Sequence, residues 1–186
     1  MKIGIEARFY GPTGKGIGRY TQELIKNLEE TRQNFDSQNL GGQQDDYFIF
    51  LRQDNFDLYQ PQNPRFHKVL ADYPWYSWQE QILFPKQLAS QRLDLVHFLH
   101  FNVPLFYFGR FVVTIHDLTL LQYPTQHKNS LAKFMYSFKH GFFILILKNA
   151  LRRAEKIITD SEKSKQDLIK NFHIKSEKIK VVYLAC

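Results

Sequence analysis

The chain has one cysteine, and it is the last residue, Cys186. No disulfide can form within it, which excludes a small secreted domain stapled by bridges. It has no long hydrophobic run. The strongest, Gly141–Leu147, falls far short of the ~20 residues that span a bilayer. The start, Met1-Lys2-Ile3-Gly4-Ile5-Glu6, does not read as a signal peptide, because Glu6 interrupts a very short apolar stretch. A cytoplasmic protein is the default expectation. Acidic residues are in deficit: 18 Asp and Glu against 25 Lys and Arg give a net charge of +7. That balance favours an anionic partner without choosing among phosphates, nucleic acid and a membrane surface. Two motifs are absent as well, G-x-S-x-G of serine hydrolases and H-E-x-x-H of zinc proteases. Nothing in the sequence reads as an RNA- or DNA-binding signature, so no nucleic-acid partner is expected. Aromatic residues, in contrast, are plentiful at 16%, and 17 of them are Phe. Long disorder is therefore not expected.

Several short runs rich in Val, Ile and Phe read as strands: 2–8, 47–52, 66–70, 93–100, 111–116, 156–160 and 179–184. Between them lie helical patterns. Ile17, Tyr20, Leu24, Ile25 and Leu28 share one helical face, and further helices are expected over 75–90, 130–154 and 161–172. Pro85 is placed to kink or divide the second of these. Residues 33–46 are polar and contain Gly41 and Gly42, and they read as a flexible loop. Strands that alternate with helices, several of them apolar on both faces, call for a parallel sheet covered on two sides. The fold class is an open, doubly wound, mostly parallel α/β sheet of Rossmann-like type, in a single domain over 1–186.

In such sheets ligands bind beyond the carboxyl ends of the strands. The first βα turn, Gly11-Pro12-Thr13-Gly14-Lys15-Gly16-Ile17-Gly18, sits at such an end. Gly14, Gly16 and Gly18 would let a phosphate approach backbone N–H groups at the positive end of the next helix. The turn matches neither G-x-G-x-x-G nor the Walker pattern, since Gly16 stands where Ser or Thr would hold magnesium. A dinucleotide dehydrogenase and a P-loop NTPase are thereby disfavoured. Simple chain reversal remains an equal reading of the glycines.

Thr114-Ile115-His116-Asp117 ends another apolar strand. There His116 can hydrogen-bond a sugar hydroxyl or phosphate, act as a general base, or serve only a backbone carbonyl. In His97-Phe98-Leu99-His100-Phe101-Asn102, alternation places residues 97 and 100 on opposite faces. His97 is expected to be buried and structural, while His100 and Asn102, past the strand end, could reach a ligand. No metal site is expected. Asp160 or Ser161 can cap the next helix. The helix over 130–154 carries Lys133, Lys139, Lys148, Arg152 and Arg153 beside Phe134, Phe138 and Phe142. It reads as a helix covering the sheet or, alternatively, as a contact with an anionic membrane.

Taken in order, five segments resemble the N-terminal half of a group 1 glycosyltransferase, the mannosyltransferase-like enzymes of glycosyltransferase family four. They are Ile3–Arg8, Gly16-Ile17-Gly18-Arg19-Tyr20-Thr21, Asp94–Phe98, Thr114–Leu118, and Ile157–Ser161 with Ser164–Leu168. The resemblance implies the GT-B fold, in which two Rossmann-like domains face a cleft. It implies retaining transfer from a nucleotide-sugar donor, GDP- or UDP-linked, to a saccharide or lipid-linked acceptor, with no metal and no other cofactor. Gly14, Gly16, Ile17 and Gly18 would then approach the donor diphosphate. His116, with Asp117 beside it, would contact the transferred sugar, and Arg19, Tyr20, His100 and Asn102 would lie on the acceptor side.

The family's C-terminal donor-binding domain has no counterpart in these residues, so the chain alone is expected to be inactive. The implied setting is polysaccharide or glycoconjugate assembly in the cytoplasm, with peripheral contact at the inner membrane face as an option. The alternative is a non-catalytic Rossmann-like module that binds a phosphorylated ligand or a partner protein.

Overall fold

The computed structural model describes residues 1–37, 44–116 and 130–184. They fall into two compact units: Met1–Leu99 with Phe106–Arg110, and His100–Leu105 with Phe111–Cys186. Both are α/β, and every strand pairing seen within them is parallel. The α/β, Rossmann-like class read from the sequence is the observed one.

The first unit contains β1 (Lys2–Glu6), β2 (Asp46–Leu51), β3 (Phe66–Leu70) and β4 (Leu95–Phe98). They lie in the order β3-β2-β1-β4. Ile5 is in register with Ile49 on one side and with His97 on the other. Alternation along the strands divides the core between two faces. Ile5, Ala7, Ile49 and Leu51 pack with Ile25 of helix α1 (Lys15–Ser37). Phe50, pointing the other way, meets Phe84 of helix α2 (Trp78–Ser90) edge-on with ring centroids 5.8 Å apart. The two helices thus cover opposite faces, which is the doubly wound arrangement. On the α2 face Gly4 leaves room for its neighbours: a Cβ there would lie 2.7 Å from Leu93 Cδ1.

The second unit has β5 (Phe111–Ile115), β6 (Ile157–Thr159) and β7 (Ile179–Val181), paired in that order. Helix α3 (Ser130–Arg153) buries Ile146, Leu147, Ala150 and Leu151, a stripe at helical spacing. Its C-terminal carbonyls are satisfied by Lys178, whose Nζ donates to Leu151 O at 2.9 Å and Arg152 O at 2.7 Å. The cation also complements the negative end of the helix, and burial lowers its pKa. Helix α4 (Glu162–Phe172) starts at Ser161, whose Oγ accepts from Ser164 N at 3.1 Å, and ends at His173 in the left-handed region.

Several boundaries differ from the sequence reading, each for a local reason. Residues 33–37, assigned to a loop, are the last part of α1. Polar residues without Gly or Pro do not stop a helix. Residues 38–43 lie outside the described residues. Helix α2 begins at Trp78 rather than at residue 75, because Ser77 caps it and Tyr76 has φ 57°. It runs through Pro85 without interruption. His97, read as buried, is half-buried on β4. Strand β7 stops at Val181 rather than 184.

Candidate functional site

At the carboxyl end of β1 the chain builds a charged cluster before it turns. Arg8 is buried between two carboxylates, Glu6 Oε1 at 2.7 Å from Nε and Glu80 Oε1 at 2.8 Å from Nη2. Its guanidinium lies 4.1 Å from the Trp75 ring centroid and 4.4 Å from that of Phe84. Trp75 in turn stacks on Phe9 at 4.2 Å. Glu80 also accepts from Tyr76 N at 2.6 Å. Two charge-assisted contacts and two aromatic faces hold this buried cation rigidly in place. Asn55 extends this rigidity: its Nδ2 donates to Arg8 O at 3.1 Å and to Tyr10 O at 3.0 Å. Glu29 of α1 fixes the loop that follows β2, accepting from Gln62 N at 2.5 Å and Asn63 N at 2.6 Å. Tyr59 OH donates to the same carboxylate at 3.2 Å. Burial, then the Glu29 charge, pushes the Tyr59 phenol well above its ordinary range.

The glycines of the following turn separate into two kinds. A Cβ on Gly14 would lie 2.1 Å from Phe9 O, and one on Gly18 would lie 2.0 Å from Gly11 O. Gly11 has φ 101°, open to glycine and strained for other residues. These three are needed for the chain to fold back on α1. Gly16 is different. A Cβ there would meet nothing within 4 Å, and the residue is exposed in the first turn of α1. That turn contains no acidic residue, so nothing on the helix competes for the positive end of its dipole. Lys15, the first residue of the helix, has φ 52°. Ile17 is half-buried and Arg19 is exposed. Tyr20 packs against the core of its unit.

In the second unit, His116 follows the last residue of β5. Its Nδ1 lies 3.6 Å from Asp160 Oδ2, just past the end of β6. That is ion-pair distance, longer than a hydrogen bond, and it becomes a charge pair when the imidazole is protonated. Ser164 Oγ donates to His116 O at 3.3 Å, and Ser161 Oγ donates to Ser164 Oγ at 2.9 Å. A histidine, a carboxylate and the capped N-terminus of α4 are thus gathered at the carboxyl ends of two parallel strands. Such a cluster can polarise a hydroxyl, carry a proton or stabilise developing negative charge. Asp117 lies outside the described residues. His100 is half-buried, its ring centroid 3.9 Å from that of Phe101. Asn102 is 2% exposed, which leaves almost no surface for a ligand in this conformation. Among the described residues no three His, Cys, Asp or Glu side chains are grouped to hold a metal ion. Nor is any described helix long and apolar enough to cross a membrane.

The Glu6-Arg8-Glu80 cluster is absent from the sequence reading. The partial signal was E-x-R at the end of β1 and S-x-x-E at 77–80, a capping box that marks the start of α2.

A sequence profile of Glycosyltransferase Family 4 matches residues 14–185. The chain belongs to this family. The match spans both units, from the glycine turn to the end of the described strands. Among curated relatives, the chain is 25% identical over 175 residues to O-antigen chain mannosyltransferase B of Escherichia coli, covering 92% of this chain and 44% of that protein. The chain therefore spans less than half the length of that relative. Among solved structures, a glycosyltransferase from Rickettsia africae ESF-5 aligns with a TM-score of 0.46 and 15% identity, over 98% of this chain and 42% of that one.

Proposed function

We propose that the chain is the acceptor-side part of a glycosyltransferase that moves a sugar from a nucleotide-sugar donor to a saccharide or lipid-linked acceptor. The observation that carries this reading is His116 at the strand end, 3.6 Å from Asp160 and tied through its carbonyl to the start of α4, in a chain of this family. His116 is the residue that contacts the transferred sugar, with the Asp160 carboxylate 3.6 Å from its ring. As the acceptor oxygen bonds to the anomeric carbon, the bond to the leaving diphosphate breaks. A hydrogen-bond donor facing the leaving diphosphate stabilises the negative charge that develops there. Independently, the open N-terminus of α1 at Gly16 suits a phosphate group, because backbone N–H groups there lack intrahelical partners. Transfer retains the anomeric configuration and requires no metal, and the donor is GDP- or UDP-linked. The donor's nucleotide is held by a further domain, so this chain by itself transfers no sugar.

The test is transfer of labelled sugar from a panel of GDP- and UDP-sugars. The chain alone is compared with the chain joined to a C-terminal donor-binding domain of the same family. Transfer by the joined form, lost on His116→Ala with the fold retained, supports the reading. Equal turnover by the chain alone overturns the division of labour. Phosphate-ligand or protein binding that is indifferent to both changes points instead to a non-catalytic module.

A further inference from the structure

Both tryptophans of the chain, Trp75 and Trp78, lie in one short stretch, Tyr73-Pro74-Trp75-Tyr76-Ser77-Trp78. The stretch leaves the carboxyl end of β3 and leads into α2. It reaches back to the end of β1, where Trp75 stacks on Phe9 at 4.2 Å. It therefore stands on the edge of the sheet where parallel α/β folds bind ligands. The glycine turn is its neighbour, since a Cβ on Gly14 would collide with Phe9 O. Its four rings are used unequally. Tyr73 lies 5.7 Å from Phe84, and Trp75 meets both Phe9 and the Arg8 guanidinium. These two serve the fold. Tyr76 and Trp78 are instead 51% and 76% exposed.

Tyr76 is also strained. Its φ of 57° is rare for a bulky side chain, and glycine would take that conformation freely. Glu80 holds it there: Oε2 accepts from Tyr76 N at 2.6 Å, while Oε1 lies 2.8 Å from Arg8 Nη2. A buried ion pair thus fixes an exposed ring in a conformation the chain does not favour. Strain of this kind collects where a ligand is met. Charge then selects the class of ligand. From Ala71 to Gln79 the stretch carries no cation, and its one exposed acid, Asp72, is paired with Arg52 Nε at 3.3 Å. Nothing in it attracts a phosphate. Exposed Gln79 and the Tyr76 hydroxyl offer uncharged hydrogen-bonding groups beside the rings. A sugar ring matches this chemistry. The C–H groups of one pyranose face pack on an aromatic face, while the hydroxyls at its edge keep their hydrogen bonds.

We propose that Tyr76 and Trp78 form a stacking platform for a neutral saccharide unit of the acceptor. The proposal rests on the acceptor-side reading above and adds to it a subsite separate from Arg19, Tyr20, His100 and Asn102.

The test is titration of the whole chain with mannotriose, cellotriose and triacetylchitotriose, followed by tryptophan emission and by saturation-transfer NMR. No donor is present. Failure of sugar transfer therefore leaves this result standing, and failure here leaves the role of His116 standing. At least one trisaccharide should shift the emission to the blue and take up saturation mainly on the C–H protons of one ring face. Its binding should be indifferent to salt, as that of a phosphate would not be. Trp78→Ala should weaken binding roughly three- to tenfold, the size of one aromatic contact, at an unchanged thermal midpoint. Trp78→Phe should keep most of the affinity while removing most of the emission shift. Tyr76→Gly separates ligand from fold: it relieves the positive φ, so the midpoint should hold or rise while binding falls by a similar factor. Binding of none of the three, binding that survives Trp78→Ala and Tyr76→Gly, or a midpoint lowered in step with binding would overturn the proposal. So would saccharide-independent dimerisation abolished by the same variants.

Discussion

The turn after β1 and the turn after β5 stand at equivalent places, each at the carboxyl end of a parallel strand, yet they are built in opposite ways. The first is fixed by packing. Arg8 is clamped by Glu6 and Glu80 between aromatic rings, and a Cβ added to Gly14 or Gly18 would lie 2.1 or 2.0 Å from a backbone oxygen. At the end of β5 the described contacts are polar, among His116, Asp160, Ser161 and Ser164. The contrast teaches that glycines in a loop are not one class. In the first turn most are there for the chain itself, and the one with open space is Gly16.

The largest expected effect tests the clamp. Arg8→Ala leaves two buried carboxylates without their cation and should cost about 3–5 kcal/mol in chemical denaturation. Arg8→Met together with Glu6→Gln and Glu80→Gln should recover most of that loss. A mild effect of Arg8→Ala alone would mean that the clamp is not what fixes the turn. Gly18→Ala comes next. A Cβ so close to Gly11 O must push the chain apart, and about 1–3 kcal/mol is the usual cost of overpacking. In the second turn, Ser161→Ala removes the cap of α4 and should cost about 1 kcal/mol, read as a lower midpoint of thermal unfolding. Gly16→Ala is the smallest and has the opposite sign. Alanine meets no neighbour there and favours the helix, so stability should rise by roughly 0.5–1 kcal/mol. If Gly16→Ala destabilised as much as Gly18→Ala, the division between the glycines would fail.

The parallel α/β fold was legible in the sequence because its signals are local. Val, Ile and Phe runs such as Phe111–Ile115 and the helical spacing of Ile17, Tyr20, Leu24 and Ile25 each report on one element. Element ends were less legible. Gln33 and Asn34 look like a loop by composition, but composition does not terminate a helix that is anchored earlier, where Ile25 is fully buried. The start of α2 depends on a positive φ at Tyr76 and on the Ser77 cap.

Of the candidate site, the strand-end placement of His116 could be read directly. Its approach to Asp160 could not, because parallel strands bring distant residues side by side only through their crossover. The same is true of Arg8 and Glu80. The difference between Gly16 and its neighbours needed coordinates outright, since Gly14, Gly16 and Gly18 are equivalent as letters and differ only in what surrounds a missing methyl group.

The most direct measurement of the central claim is sugar transfer by the two-domain form carrying His116→Ala, taken with its thermal midpoint. A loss of about 10²–10⁴-fold in kcat at an unchanged midpoint is the predicted result, the size expected when a positioned acid–base or polarising group is removed. Full activity, or a loss that tracks unfolding, would contradict the assignment of this strand end to the chemistry.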